Sequence, residues 1–183
     1  MDDTSQKIPR FCSIVDGLIR KVGIAVAWLN VLLIINILVQ VIFRYAFSKG
    51  YVWMEELQWH LYGTAIVFAI SYCITENSHI RLDLFHRKFS PKKKEVVEVV
   101  GIILMLFPLY IILSMHGIGF VESALRVHER SESPLGLPFR WIIKSMVPIS
   151  MFLVVLAASS RLVRSLSIIF HKNKDIREIH HGN

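Results

Sequence analysis

Four long apolar stretches constrain this chain more than any other feature: Val22 to Phe43, Leu57 to Thr75, Val99 to Val121 and Trp141 to Ser160. Each runs to about 20 residues, the length at which a helix crosses a bilayer core of ~30 Å. A backbone in hydrocarbon must satisfy its own hydrogen bonds, so four such runs predict four membrane helices. The fold class expected is therefore an all-α membrane protein with four transmembrane helices and short interfacial amphipathic segments. Composition agrees, with 54% hydrophobic and only 19% charged residues among 183. The segments left over, 1–21, the three connections and 161–183, are each too short for a separate globular core of the usual ~50 residues or more. The organisation expected is an N-terminal segment 1–21, a four-helix domain 22–160 and a basic tail 161–183, with no soluble catalytic domain.

A net charge of +7 raises the question of a nucleic-acid partner, and the placement of the charge answers it. Fifteen Lys and Arg residues fall in the N-terminal segment, the second connection and the tail; six fall on the other side, in the first and third connections and at Lys144. Basic residues in short loops mark the cytoplasmic side, so both termini are expected there and no nucleic-acid partner is inferred. The first apolar run exceeds a signal-peptide core and follows an acidic start (Asp2, Asp3), so it is expected to remain as a span. Cys12 and Cys73 both belong to the expected cytoplasmic side, where thiols stay reduced.

Local signals refine the layout. Ser90-Pro91 reads as an N-cap with proline at the first helical position, starting the third helix ahead of Lys92, Lys93 and Lys94. Leu82, Phe85 and Phe89 recur at helical spacing among Arg81, Arg87 and Lys88, a pattern suited to a short helix in the headgroup layer of membrane lipids; a solvated loop is the alternative. Pro108 should bend the third span near Leu104.

Asn36, Gln40 and Arg44, four residues apart, form one stripe on the first span that calls for a protein neighbour more than for a ligand. At the outer end of the second span Trp53, Glu55, Glu56, Trp59, His60 and Tyr62 crowd together. The aromatics suit an interfacial belt. Arg44 and Lys144 belong to the same outer level, so Arg44 is expected to pair with Glu55 or Glu56, with Lys144 close by. No Asp, Glu, Lys or Arg lies near the middle of any apolar stretch, where a self-sufficient proton-coupled transporter usually needs one. The His180-His181 pair lacks a third ligand and reads as a solvated terminus, and no metal or cofactor site is inferred.

Three stretches together resemble a known family: Ile42 to Tyr45 leading into Val52 to Leu57, then His79-Ile80-Arg81-Leu82-Asp83, then Ser133 to Pro138 with Arg140, Trp141 and Lys144. Their order and spacing resemble the small membrane subunit of tripartite ATP-independent periplasmic (TRAP) transporters, the DctQ-like family, over roughly Ile14 to Ser160. The resemblance implies a non-enzymatic subunit of the bacterial inner membrane. It also implies a large permease subunit as partner, which carries the sodium and substrate sites and moves, and a periplasmic binding protein that delivers a substrate, commonly a carboxylate. The small subunit would scaffold the permease. A rival of a different class is a four-helix haem b anchor of a respiratory complex, ligated by His60 and His116 near one surface.

Overall fold

A computed structural model of the chain describes residues 10–76 and 91–181, with the side chains of 91, 92 and 170–181 outside the description. The helices are α1 (Arg10–Ala46), α2 (Val52–Thr75), α3 (Pro91–Gly101), α4 (Phe107–Arg126) and α5 (Arg140–His181). A π-helical turn, Ile102–Leu106, joins α3 to α4 without a break, so the five labels make four long apolar rods of membrane-crossing length. They alternate in direction. One end of the bundle, the terminal end, carries the N-terminal part of α1, the end of α2 and the start of α3; the other, the hairpin end, carries the two short turns α1–α2 and α4–α5.

All four rods run past or up to the limits of their apolar stretches. α1 begins at Arg10, where Val15 and Ile19 already supply a buried face, and α5 continues to His181 well beyond Ser160. The third helix starts at Pro91, as the Ser90-Pro91 pair predicts. Pro108 acts one turn upstream of itself. It has no N–H to offer, and its ring crowds the carbonyl four residues before it, Leu104. The chain absorbs this by widening to the π form over Ile102–Leu106, where the Phe107 N–H bonds to the Ile102 carbonyl five residues back.

α5 is the axis of the bundle, since every other helix packs against it. Small residues make that possible: Ser150, Ala157, Ala158 and Ser160 are buried along it with Val154, and small side chains let membrane helices approach closely. Gly117 of α4 faces Pro148 of α5, where an added Cβ would stand 3.1 Å from the proline Cβ. The main apolar cluster, Val15, Ile19, Ile74, Val154 and Ala157 with Tyr110 and Leu106 against it, lies toward the terminal end. Serine hydroxyls inside the helices turn back on their own turn, Ser114 to the Tyr110 carbonyl at 2.7 Å and Ser159 to that of Val155 at 2.7 Å, which satisfies them without a neighbour.

Candidate functional site

Polar groups gather in two layers, one at each end of the bundle. At the hairpin end the stripe on α1 turns toward α2. Asn36 is buried and donates to the Met54 carbonyl at 2.9 Å. One turn on, Gln40 donates to Glu55 Oε1 at 2.9 Å and accepts from Gln58. Arg44, at the next turn, lines a crevice with Gln40, Glu55, Gln58 and Trp59. The short α1–α2 turn is held by rings: Phe43 meets Tyr51 edge to face with centroids 5.4 Å apart, and Tyr51 meets Trp53 at 6.4 Å.

The expected pairing of Arg44 with Glu55 or Glu56 is not among the ion pairs of the described residues. Both oxygens of Glu56 are committed to the α4–α5 connection, Oε1 accepting from the Ser131 hydroxyl and Oε2 from the Leu137 N–H at 2.6 Å. Among the described residues Arg44 has no carboxylate within ion-pair distance. Lys144 is likewise taken elsewhere, by Glu129, with its ammonium 3.9 Å above the Phe120 ring. Arg140 approaches the same carboxylate at 3.9 Å.

The reason is the way the α4–α5 connection folds, which a count of charges by level does not contain. α4 ends in a Schellman turn: the His128 N–H reaches the Leu125 carbonyl at 3.2 Å and the Glu129 N–H that of Ala124 at 2.9 Å, with His128 at φ 46° in the position usually given to glycine. The reversal swings Glu129 back over the start of α5, where the Arg140 N–H also bonds its carbonyl at 3.2 Å. Ser133 to Gly136 then closes as a β-turn, Gly136 N–H to Ser133 carbonyl at 3.0 Å, with Pro134 at its second position. Gly136 sits so near the Glu56 bonds that an added Cβ would lie 2.3 Å from Ser131 Oγ and 2.7 Å from Glu56 Oε1.

Trp141 is half-buried on the first turn of α5, while Trp59 and Tyr62 are exposed on α2. His60 Nδ1 bonds the Glu56 carbonyl and His116 Nδ1 that of Ile112, each within its own helix. Their helices, α2 and α4, are not packing partners; both lean on α5 instead. His79, Arg81, Asp83 and the amphipathic stretch Leu82 to Phe89 lie outside the described residues.

The terminal end holds the set that sequence reading missed. Arg161 of α5 grips Glu98 of α3 with two bonds, Nε to Oε1 at 2.5 Å and Nη2 to Oε2 at 2.7 Å, and reaches Glu95 at 3.5 Å. One turn on, Arg164 pairs with Asp16 of α1 at 2.5 Å, whose other oxygen accepts from the Ser160 hydroxyl at 2.7 Å. Arg20 of α1 meets Glu76 at the end of α2 at 2.7 Å. These bonds tie α1, α2, α3 and α5 together at one level. The signal was present: Arg161 and Arg164 lie three apart, as do Glu95 and Glu98, so each pair occupies one helix face. Counting the arginines as topology markers hid their partners.

Apart from Arg44, the side chains of both layers are joined to one another chiefly across helices. Their chemistry is that of fixing helix positions. The chain is similar to a family model described as "Tripartite ATP-independent periplasmic transporters, DctQ component", which matches residues 33–167, from the middle of α1 to beyond the arginine pair of α5. No curated protein matches it.

Proposed function

The chain belongs to the DctQ family, the small membrane component of TRAP transporters, and from that premise we propose that it works as a rigid brace for the large permease subunit during sodium-coupled uptake of a carboxylate-type substrate delivered by a periplasmic binding protein. The observation that supports this reading is how the polar groups are spent. At both ends carboxylates and cations hold the chain's own helices together, while the spans between them present apolar side chains outward; only 6% of the apolar window of α1 is buried within the chain. Lipid tails and an apolar permease flank can cover such a surface equally well. The brace has both termini in the cytoplasm, which follows from the fifteen-to-six division of basic residues.

Substrate and ion sites belong, on this reading, to the permease. Reconstitution tests it. Permease, binding protein and this chain together should take up substrate down a sodium gradient, omission of this chain should abolish uptake, and this chain alone should give none. Saturable binding or uptake by this chain alone in liposomes would refute the brace.

A further inference from the structure

The crevice between α1 and α2 at the hairpin end has about 360 Å³ of space and a mixed lining that the helix-fixing network does not exhaust. Arg44 stands exposed at its mouth with no carboxylate in ion-pair range among the described residues. Glu55 gives one oxygen, Oε1, to Gln40, and no hydrogen bond among the described residues uses Oε2. The crevice therefore offers one open cation and one open carboxylate oxygen. Trp59 is 73% exposed beside them, and Ile37 and Val41 carry the wall one to two turns deeper along α1.

Depth decides what meets such a pair. Arg44 directly follows the apolar stretch that ends at Phe43, which places it at the level of lipid headgroups, and an indole at that level is a membrane-interface side chain. A guanidinium there binds phosphate through parallel N–H bonds. A carboxylate beside it repels a bare anion, so the pair suits a ligand that carries phosphate and a hydrogen-bonding ammonium a few atoms apart. We propose that the α1–α2 crevice binds a phosphoethanolamine headgroup of a membrane phospholipid, phosphate on Arg44, ammonium on Glu55, with an acyl chain descending along Val41 and Ile37. A larger groove between α4 and α5, about 790 Å³, lacks this character: its walls are apolar and its charges, Glu122 and Arg126, are paired with each other at 2.5 Å.

This inference is independent of the transport reading. Native mass spectrometry of the full chain, with equal amounts of dioleoyl phosphatidylethanolamine, phosphatidylcholine and phosphatidylglycerol in the micelle, reads it directly. The primary amine should be retained over its trimethylated counterpart by about tenfold, the worth of one charge-assisted hydrogen bond. Glu55→Gln keeps an acceptor for Gln40 and should fold normally, as circular dichroism would verify, yet it should level ethanolamine with choline lipid. Arg44→Gln should weaken both. Equal retention of all three lipids, or selectivity untouched by Glu55→Gln, overturns the proposal. Displacement of the lipid by equimolar water-soluble glycerophosphoethanolamine would overturn the lipid assignment in favour of a free headgroup. Loss of the selectivity once the chain is assembled with its permease would show that a permease side chain fills the crevice, and would overturn it likewise.

Discussion

Glu56 is the side chain on which the hairpin end turns. Its partners Ser131 and Leu137 stand 75 and 81 residues further along the chain, so one carboxylate joins two of the stretches that carried the family resemblance, Val52 to Leu57 and Ser133 to Pro138. Glu56→Gln keeps one acceptor oxygen but faces the Leu137 N–H or the Ser131 hydroxyl with an amide donor. Losing one bond to a charged acceptor should cost about 1.5 to 3 kcal/mol, which corresponds to roughly 3 to 12 °C in a chain of this size. Gly136→Ala should do comparable damage from the other side, because its Cβ would fall on Ser131 and Glu56 Oε1. Since both act on one cluster, the double variant should lose clearly less than the sum of the singles. Thermal unfolding in detergent measures all three, and strict additivity would show that the cluster is not a unit. Sequence reading found Glu56 as a residue of interest but offered Arg44 as a partner for it or for Glu55. Asn36 and Gln40 were legible because four-residue spacing states which face they share; the partner of Glu56 was not, because it depends on where a connection of irregular backbone folds back.

At the scale of elements, helix existence was legible and helix extent was not. Apolar runs locate the spans, but α1 begins at Arg10 and α5 continues past Ser160 because helices persist wherever another helix covers one face, and charged residues on the outer face do not stop them. Pro108 was legible in position, near Leu104, while the form of the distortion, a π turn, depends on neighbours as well as on the proline. The terminal-end ion layer is where elements are joined. Arg161 is only 11% exposed between Glu95 and Glu98 at 18% each, so the three charges are largely removed from water. Removing the cation alone takes the two-bond partner from Glu98 and the contact at 3.5 Å from Glu95 in a layer largely removed from water, and Arg161→Met should destabilise the fold by about 3 kcal/mol. Adding Glu95→Gln and Glu98→Gln to that variant should restore part of the loss, since two like charges no longer share a layer that has lost its arginine. If the triple variant is no more stable than Arg161→Met in denaturant or heat titrations, α3 is not held to α5 by this triad.

For the whole molecule the decisive quantity is orientation, because on the proposed reading a brace beside a permease must present the same flank in every copy. The bundle sets the first turns of α1, the end of α2 and the start of α3 at one end, and the α1–α2 and α4–α5 turns at the other. The positive-inside rule assigns a side to each. Among the described residues, Arg20, Arg161 and Arg164 at the terminal end are held in internal ion pairs, as are Arg126, Arg140 and Lys144 at the hairpin end. Orientation by basic loops counts residues within about 15 to 20 positions of the span ends, and Lys88, Lys92, Lys93 and Lys94 all fall inside that range. A phosphatase fusion at Gly136 should therefore be active in the periplasm, and a fluorescent-protein fusion at Asn183 should fold and fluoresce in the cytoplasm. Charge transfer makes the test quantitative: replacing Lys92, Lys93 and Lys94 by Gln while placing three lysines in the 127–139 connection should move part of the population to the opposite orientation and reduce assembly with the permease in proportion. Fusions that report Asn183 outside in the unaltered chain would overturn the proposed orientation.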